Sequence, residues 1–491
     1  MNENRARESR ASRASVPSRR PGVVSRAFSR FGPDSRARAL VLRPRVMRAA
    51  LSRATHPLRR RVSSTGRARA RAARRRASPE SPPPVPDTRQ VGALTDAAPP
   101  YPRATDGRVA LKGMRREEIA CWLESVGEKR SRVDSLFRVM YREAATNADV
   151  DDTETFGAKF KARLLEKASM DGDLKILDTR VATDGTRKVT YELVGEGGGV
   201  VESVLIPALR ENGRTTVCVS SQLGCAMNCQ FCYTAKMGLR KNLTAAQIVE
   251  QVVHARRMVG ANEVSNVVFM GMGEPLHNAD EVLRACDILL DEKGLGFSRN
   301  KVTVSTSGLV PQMERFLRES EASLAVSLNA TTDYIRNWIM PINRKYNLEA
   351  LLGLLRREFP RVKLGRHQRQ VFFEYIMLEG VNDSDEDADR LAEISRDVPC
   401  KINLIYFNTH EGSEFKCSDQ ERIKAFRQRV SDAGVTCTIR QSRGDEEASA
   451  CGQLGNPGDA ALWKPAPPRT RDPRTRARHH GRDARSRAEG L

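Results

Sequence analysis

The sequence predicts an α/β fold: a partial (β/α)6 barrel with a small N-terminal helical accessory domain and disordered basic tails. Three observations lead there. From residue 213 onward, short apolar runs alternate with segments of helical period, six times over. Residues 105–172 carry helical patterns alone. Both ends of the chain are rich in Arg and have no apolar periodicity.

Residues 1–100 come first. The stretch 1–79 holds 23 arginines, no lysine and three acids, Glu3, Glu8 and Asp34. An Arg-, Ala- and Ser-rich stretch so poor in acids has the composition of an organellar transit peptide. Plastid is expected ahead of mitochondrion, and cytoplasm if the stretch is not a targeting signal. A disordered RNA-binding arm and an upstream translated extension are the alternatives. The Pro-rich run 81–86 (SPPPVP) reads as linker. The tail 456–491 is basic and low in complexity, and is expected to be disordered. The tails therefore carry more than the whole net charge of +22, and the body is slightly acidic. No apolar run is long enough to span a bilayer.

Within 105–172, RREEIACWLESVG, RVDSLFRVMYREA and FGAKFKARLLEKA each space their apolar residues as helices do. Residues 173–212 read as connecting strands, with a hairpin turn at Asp184-Gly185. In 213–455 the expected strands are TTVCVSS, VSNVVFMG, NKVTVSTSG, ASLAVSLN, QVFFEYIML and KINLIYF. Helices are expected to begin near Thr244, Asn278, Val310, Asp333, Leu348, Asp383 and Ser418. Ligands of such parallel sheets gather at the carboxyl ends of the strands.

The cysteine run Cys225, Cys229, Cys232 (C-x3-C-x2-C) follows the first barrel strand. Three thiolates can hold three irons of a [4Fe–4S] cluster, and the fourth iron then stays open. Zinc is the competing reading, with Cys218 or a histidine as fourth ligand. Zinc sites usually pair two such spacings, and no second C-x2-C occurs here. A structural disulfide fits poorly with a chain that has no other secretory feature. GMGEP (Gly271 to Pro275) ends the second strand, STSG the third, SLN (Ser327 to Asn329) the fourth, and Asn408 follows the sixth. Together they form a polar ring at one barrel mouth.

C-x3-C-x2-C after the first strand with GMGEP after the second resembles the radical S-adenosylmethionine (SAM) superfamily. The longer stretches CVSSQLGCAMNCQFC, NVVFMGMGEPLHN, TVSTSGLVP, RNWIMPINRKYNLEALL and IRQSRGDEEASACGQL are similar to the RlmN/Cfr family of RNA adenine methyltransferases. The likeness runs in order from about residue 110 to 455, and GEKRSRVDSLFRVMY is similar to that family's accessory domain. It implies a radical SAM barrel. It implies Cys225, Cys229 and Cys232 as ligands of one [4Fe–4S] cluster, and Gly273, Glu274, Ser305, Ser327, Leu328, Asn329 and Asn408 as SAM-binding positions. Cys451 would be the methylated cysteine, Cys218 the resolving cysteine and Glu202 the proton acceptor.

The implied reaction methylates carbon 2 of an adenine in large-subunit ribosomal RNA, with transfer RNA as a further substrate. Two SAM serve each turnover. One methylates Cys451, and the other is cleaved at the cluster to the radical that activates that methyl. Cys218 then releases the product by thiolate attack on sulfur, leaving a disulfide. An electron donor such as ferredoxin or flavodoxin, a monomeric state and no membrane partner complete the expectation. Carbon 8 of the same adenine is the rival position, and a zinc-bound RNA module the rival class. Methylthiolation needs a further cysteine trio upstream, where Cys121 stands alone.

The chain departs from that family's pattern in three places. Asn329 stands for a usual histidine, FNTHEGSEF for a Pro- and aromatic-rich loop, and Val139 for a tryptophan. A slightly acidic body needs local patches to hold RNA. The candidates are Lys236, Arg240 and Lys241, then Arg344 and Lys345, then Arg361 through Arg369, with Arg440 and Arg443.

Overall fold

The computed structural model describes residues 101–455, apart from 144–145, 196, 209–213, 361–368, 411, 441 and 445–451. Cys451, the presequence and linker, the basic tail and Arg361 to His367 with Gln368 lie outside the described residues.

One ten-stranded sheet organises the protein, with its strands in sequence order. The first three are β1 (Leu174–Val181), β2 (Arg187–Leu193) and β3 (Val200–Ile206), an antiparallel meander. Seven parallel strands follow: β4 (Thr215–Cys218), β5 (Val264–Phe269), β6 (Val302–Thr306), β7 (Ser323–Ser327), β8 (Val371–Met377), β9 (Cys400–Tyr406) and β10 (Cys437–Arg440).

The six expected barrel strands are present, and β10 is an addition to them. Its four residues, two of them polar, are too short a run for periodicity to single out. The expected connecting strands, β1 to β3, belong to the same sheet, because β3 pairs antiparallel with β4 and sets Val204 opposite Cys218. The turn at Asp184-Gly185 is as expected, with Gly185 in the left-handed region at φ +80°.

The accessory helices are α1 (Arg116–Ser125), α2 (Val133–Phe137) and α3 (Ala158–Lys167). A π-helical turn, Arg138–Arg142, continues α2, and Val139 is fully buried in it. The barrel helices are α4 (Ala245–Val259), α5 (Ala279–Leu290), α6 (Val310–Glu319), α7 (Asp333–Ile339), α8 (Leu348–Glu358), α9 (Asp385–Arg396) and α10 (Gln420–Asp432). Thr244 caps α4 as expected. Its Oγ1 accepts from the Gln247 amide, and the Gln247 side chain accepts from the Thr244 amide. The last two helices start two residues later than expected, because Ser384 and Asp419 supply the caps. Among the described residues no helix is long and apolar enough to cross a membrane.

A buried ion pair ties the accessory unit to the barrel. Lys112 Nζ lies 2.6 Å from Glu250 Oε2 on α4, and both side chains are buried. His254 Nε2 stands 3.2 Å from the other Glu250 oxygen, and Tyr191 of β2 stacks on the His254 ring. Burial alone would raise the Glu250 carboxyl, but Lys112 and His254 outweigh it and hold the group below its ordinary range. Stability from a depressed carboxyl is present above the ordinary carboxylate range and is lost as pH falls through the folded value. Lys112→Met leaves Glu250 buried without its cation. It is expected to lower unfolding stability by about 3–5 kcal/mol at neutral pH, read by urea denaturation. The deficit should shrink in acid, where Glu250 takes a proton; a deficit independent of pH would contradict this account.

Candidate functional site

The cysteine loop leaves the end of β4 and is clasped by a short antiparallel ladder, Gln222–Gly224 against Leu239–Asn242. Gly224 makes this clasp achievable. Its φ is +77°, and a Cβ there would fall 1.8 Å from the Gly238 carbonyl oxygen. The loop is fixed at its far side by the Gln230 amide, which donates to the Ile339 carbonyl at the end of α7 at 2.9 Å.

Cys225, Cys229 and Cys232 line one cavity of about 170 Å³. Burial, then the neighbouring thiols, push the Cys225 thiol up to about 12 and the Cys229 thiol well above the ordinary range. Three thiolates lining one cavity are stable side by side only beside added positive charge, which a metal cluster supplies. Three cysteine thiols lining one cavity are the donor set that a three-cysteine iron–sulfur cluster asks for.

Gly271, Gly273, Glu274, Ser305, Ser327 and Asn329 line the same cavity, as expected. The glycines serve packing as well as access. Gly273 has φ +103°, and a Cβ there would fall 2.6 Å from the Gln222 side chain. Glu274 is buried, and its two oxygens already accept from the amides of Leu276 (3.0 Å) and Ser307 (2.7 Å). Burial raises its carboxyl despite those bonds. It therefore pins the end of β6 to the GMGEP turn.

Three expected SAM positions differ in role or place. Leu328 does not line the cavity. Its side chain is in the core, its amide donates to the Glu374 carbonyl, and its carbonyl accepts from Arg336. Asn329 lines the cavity with φ +55°, a backbone region that Asn tolerates well. Its Oδ1 accepts from the Ile376 amide at 2.9 Å and its Nδ2 donates to Met340 Sδ, so the carboxamide holds strand ends together. Asn408 lines a different cavity, where its Oδ1 accepts from Ser442 Oγ at 2.5 Å.

Arg336 is a neighbour of the site that spacing rules pass over. It is fully buried behind the cavity wall. Its guanidinium donates to the carbonyls of Leu328, Ser307 and Ser327 and to Asn343 Oδ1. Burial pulls it down to about 10, and Cys229, then Asp333, oppose that. The RNWIMPINRKY stretch thus places a buried cation beside the cysteine loop.

The second cavity, about 790 Å³, occupies the barrel interior. Cys218, at the end of β4, lines it. The two cavities share a wall of Met270, Glu374, Ile405, Arg440 and Leu454. Gly452 and Leu454, just beyond Cys451, line the cysteine cavity. The Tyr233 amide donates to the Gly452 carbonyl at 2.8 Å, and Thr234 Oγ1 donates to the Leu454 carbonyl at 2.6 Å. Glu202 meets the same segment, accepting from the Gly455 amide at 2.8 Å. Lys188, which the sequence did not single out, lies 3.5 Å from Glu202 Oε1. None of the nine described cysteines is in a disulfide.

The basic patches divide. Lys236 and Lys345 sit over the rings of Tyr233 and Tyr346, and Arg240 is exposed on the clasp. Arg440 faces the shared wall instead, and Arg443 pairs with Asp184 at 2.6 Å. Neither forms part of an open patch.

Residues 219–392 match the model of the radical SAM superfamily. The chain is 46% identical over 356 residues to the dual-specificity RNA methyltransferase RlmN of Geobacter sulfurreducens, covering 72% of this chain and 94% of that protein. It is 46% identical over 352 residues to the protein of the same name from Pelobacter propionicus, covering 72% and 97%. A crystal structure of a radical SAM methyltransferase from Sphaerobacter thermophilus superposes with a TM-score of 0.64 at 38% identity, over 70% of this chain and 98% of that one.

Proposed function

The chain belongs to the RlmN family of radical SAM RNA methyltransferases, and from that premise we propose that it methylates carbon 2 of an adenine through a methyl-cysteine intermediate. The acceptor is large-subunit ribosomal RNA, with transfer RNA as a second substrate. The observation that carries this reading is the pair of adjoining cavities, one lined by the cysteine triad and the other by Cys218, with a common wall.

Cys225, Cys229 and Cys232 would hold a [4Fe–4S] cluster, and Gly273, Glu274, Ser305, Ser327 and Asn329, which line the same cavity, would hold SAM beside it. Bound there, the two supply the electron and the radical chemistry that an unactivated methyl group needs. The protein's own part is positioning. The barrel interior has apolar walls (Val204, Val268, Phe372, Ile439) and a polar edge, which suits a flat purine. Cys451 carries the transferred carbon on its sulfur. Gly452 and Leu454, which follow it, are bonded to Tyr233 and Thr234 beside the triad. Glu202, oriented by Lys188 and the Gly455 amide, takes the ring proton. Cys218 then attacks the Cys451 sulfur. The new S–S bond forms as the sulfur–carbon bond to the product breaks.

Mapping the methyl position on ribosomal RNA from cells lacking the gene, with and without complementation, tests this directly. A methyl group restored at carbon 2 is the expected result. Restoration at carbon 8 would transfer the chain to the rival reaction.

A further inference from the structure

Glu374 is an acid in the middle of an otherwise apolar strand, QVFFEYIML, and the reaction as described gives it no work. Alternation along β8 turns Phe372, Glu374 and Ile376 toward the barrel interior, while Phe373 and Tyr375 are buried in the main core. Register then builds a polar row across three strands. Glu374 is paired with Asn403, and Asn403 with Thr438. Asn403 Nδ2 donates to Glu374 Oε1 at 2.8 Å, and Thr438 Oγ1 donates to Asn403 Oδ1 at 2.7 Å. Asn403 is thus held at both ends of its carboxamide, and it orients one Glu374 oxygen.

The other oxygen, Oε2, is buried and has no hydrogen-bond partner among the described residues. Glu374 is 5% exposed. A buried oxygen left without a donor is costly, and native proteins keep few of them. This one lies in the wall between the two cavities, beside Arg440, the other charged residue of that wall. Burial, more than Arg440 and Asn403 can offset, holds its carboxyl above the ordinary range. A buried acceptor beside the apolar patch of Val204, Val268, Phe372 and Ile439 suits a flat ligand that offers an N–H group at its edge.

We propose that Glu374 is a specificity-determining residue for the acceptor base, its Oε2 accepting a hydrogen bond from the exocyclic amino group of adenine. The inference rests on the adenine reading above and adds which side chain tells adenine from other purines. Asn403 and Thr438 are positioning residues, since they act only through the orientation of the carboxyl.

The test uses the cluster-loaded protein and a ribosomal RNA fragment carrying either adenine or unsubstituted purine, which lacks the amino group, at the acceptor position. Equilibrium binding and methyl transfer are both measured. Wild type is expected to prefer adenine by about ten- to hundredfold in binding, the range for one lost bond to a buried charged or strongly polar acceptor. Glu374→Leu should bind the two RNAs equally. Glu374→Gln, nearly isosteric and still bearing a carbonyl oxygen, should keep part of the preference and guards against a misfolded Leu variant. If both variants lose affinity for the two RNAs in equal proportion, leaving the preference intact, Glu374 is structural and the inference is overturned. An absence of preference in wild type overturns it too. Methyl transfer reports separately: wild type that discriminates in binding yet leaves carbon 2 unmethylated would refute the reaction and leave the recognition role standing.

Discussion

Cys218→Ala is expected to stop multiple turnover and to leave protein joined covalently to RNA through Cys451. Multiple-turnover rate should fall by about 10³-fold or more, as for other residues that act as one covalent unit. The reason is local. Cys218 ends β4 between Val204 and Val268, buried, at the wall of the larger cavity. Alanine fits that space, so the fold and the cluster site should survive while the sulfur nucleophile is gone. The adduct should appear as a slow-migrating species that ribonuclease removes, with mass spectrometry locating the link. Cys218→Ala/Cys451→Ala should show neither adduct nor activity and still bind the cluster. Normal turnover by Cys218→Ala would remove this residue from the mechanism.

Cys229→Ala is expected to abolish activity for a different reason, by removing one of three cluster ligands. Iron and sulfide should fall from about four of each per chain to near zero after anaerobic reconstitution. Folding should be little affected. The Cys229 side chain is half-buried against residues of α7, and alanine removes only its sulfur. Wild type that takes up zinc and no sulfide would sink the cluster reading and revive the zinc-bound alternative.

Much of the site could be read from local pattern. The cysteine run, the GMGEP turn and the strand ends at Ser305 and Ser327 do line one cavity, because each follows a strand whose period was clear. Helix starts near Thr244, Asp333 and Leu348 are equally legible, since the caps there, Thr244, Thr332 and Asn347, act within a few residues. Where local pattern failed, long-range packing had won. Leu328 looked like a binding position by motif, yet both its backbone groups are engaged by Glu374 and Arg336, 46 and 8 residues away. Arg440 and Arg443 looked like open basic residues, yet one faces the cavity wall and the other pairs with Asp184 across the sheet. One signal went unused: a single acid inside an apolar strand, which marks Glu374.

The sequence by itself determined the parallel α/β barrel, the accessory helices and the cysteine triad with its glycine turn, because period, cap and spacing are properties of neighbouring residues. Only the tertiary structure decided which side chains meet. It stacked Glu374, Asn403 and Thr438 in one row by strand register, buried Arg336 behind the cysteine loop, joined Lys188 and Gly455 to Glu202, and set Cys218 in a cavity of its own beside the triad. Those contacts join residues tens to hundreds of positions apart, and their geometry follows from how the sheet curves and pairs rather than from any run of letters.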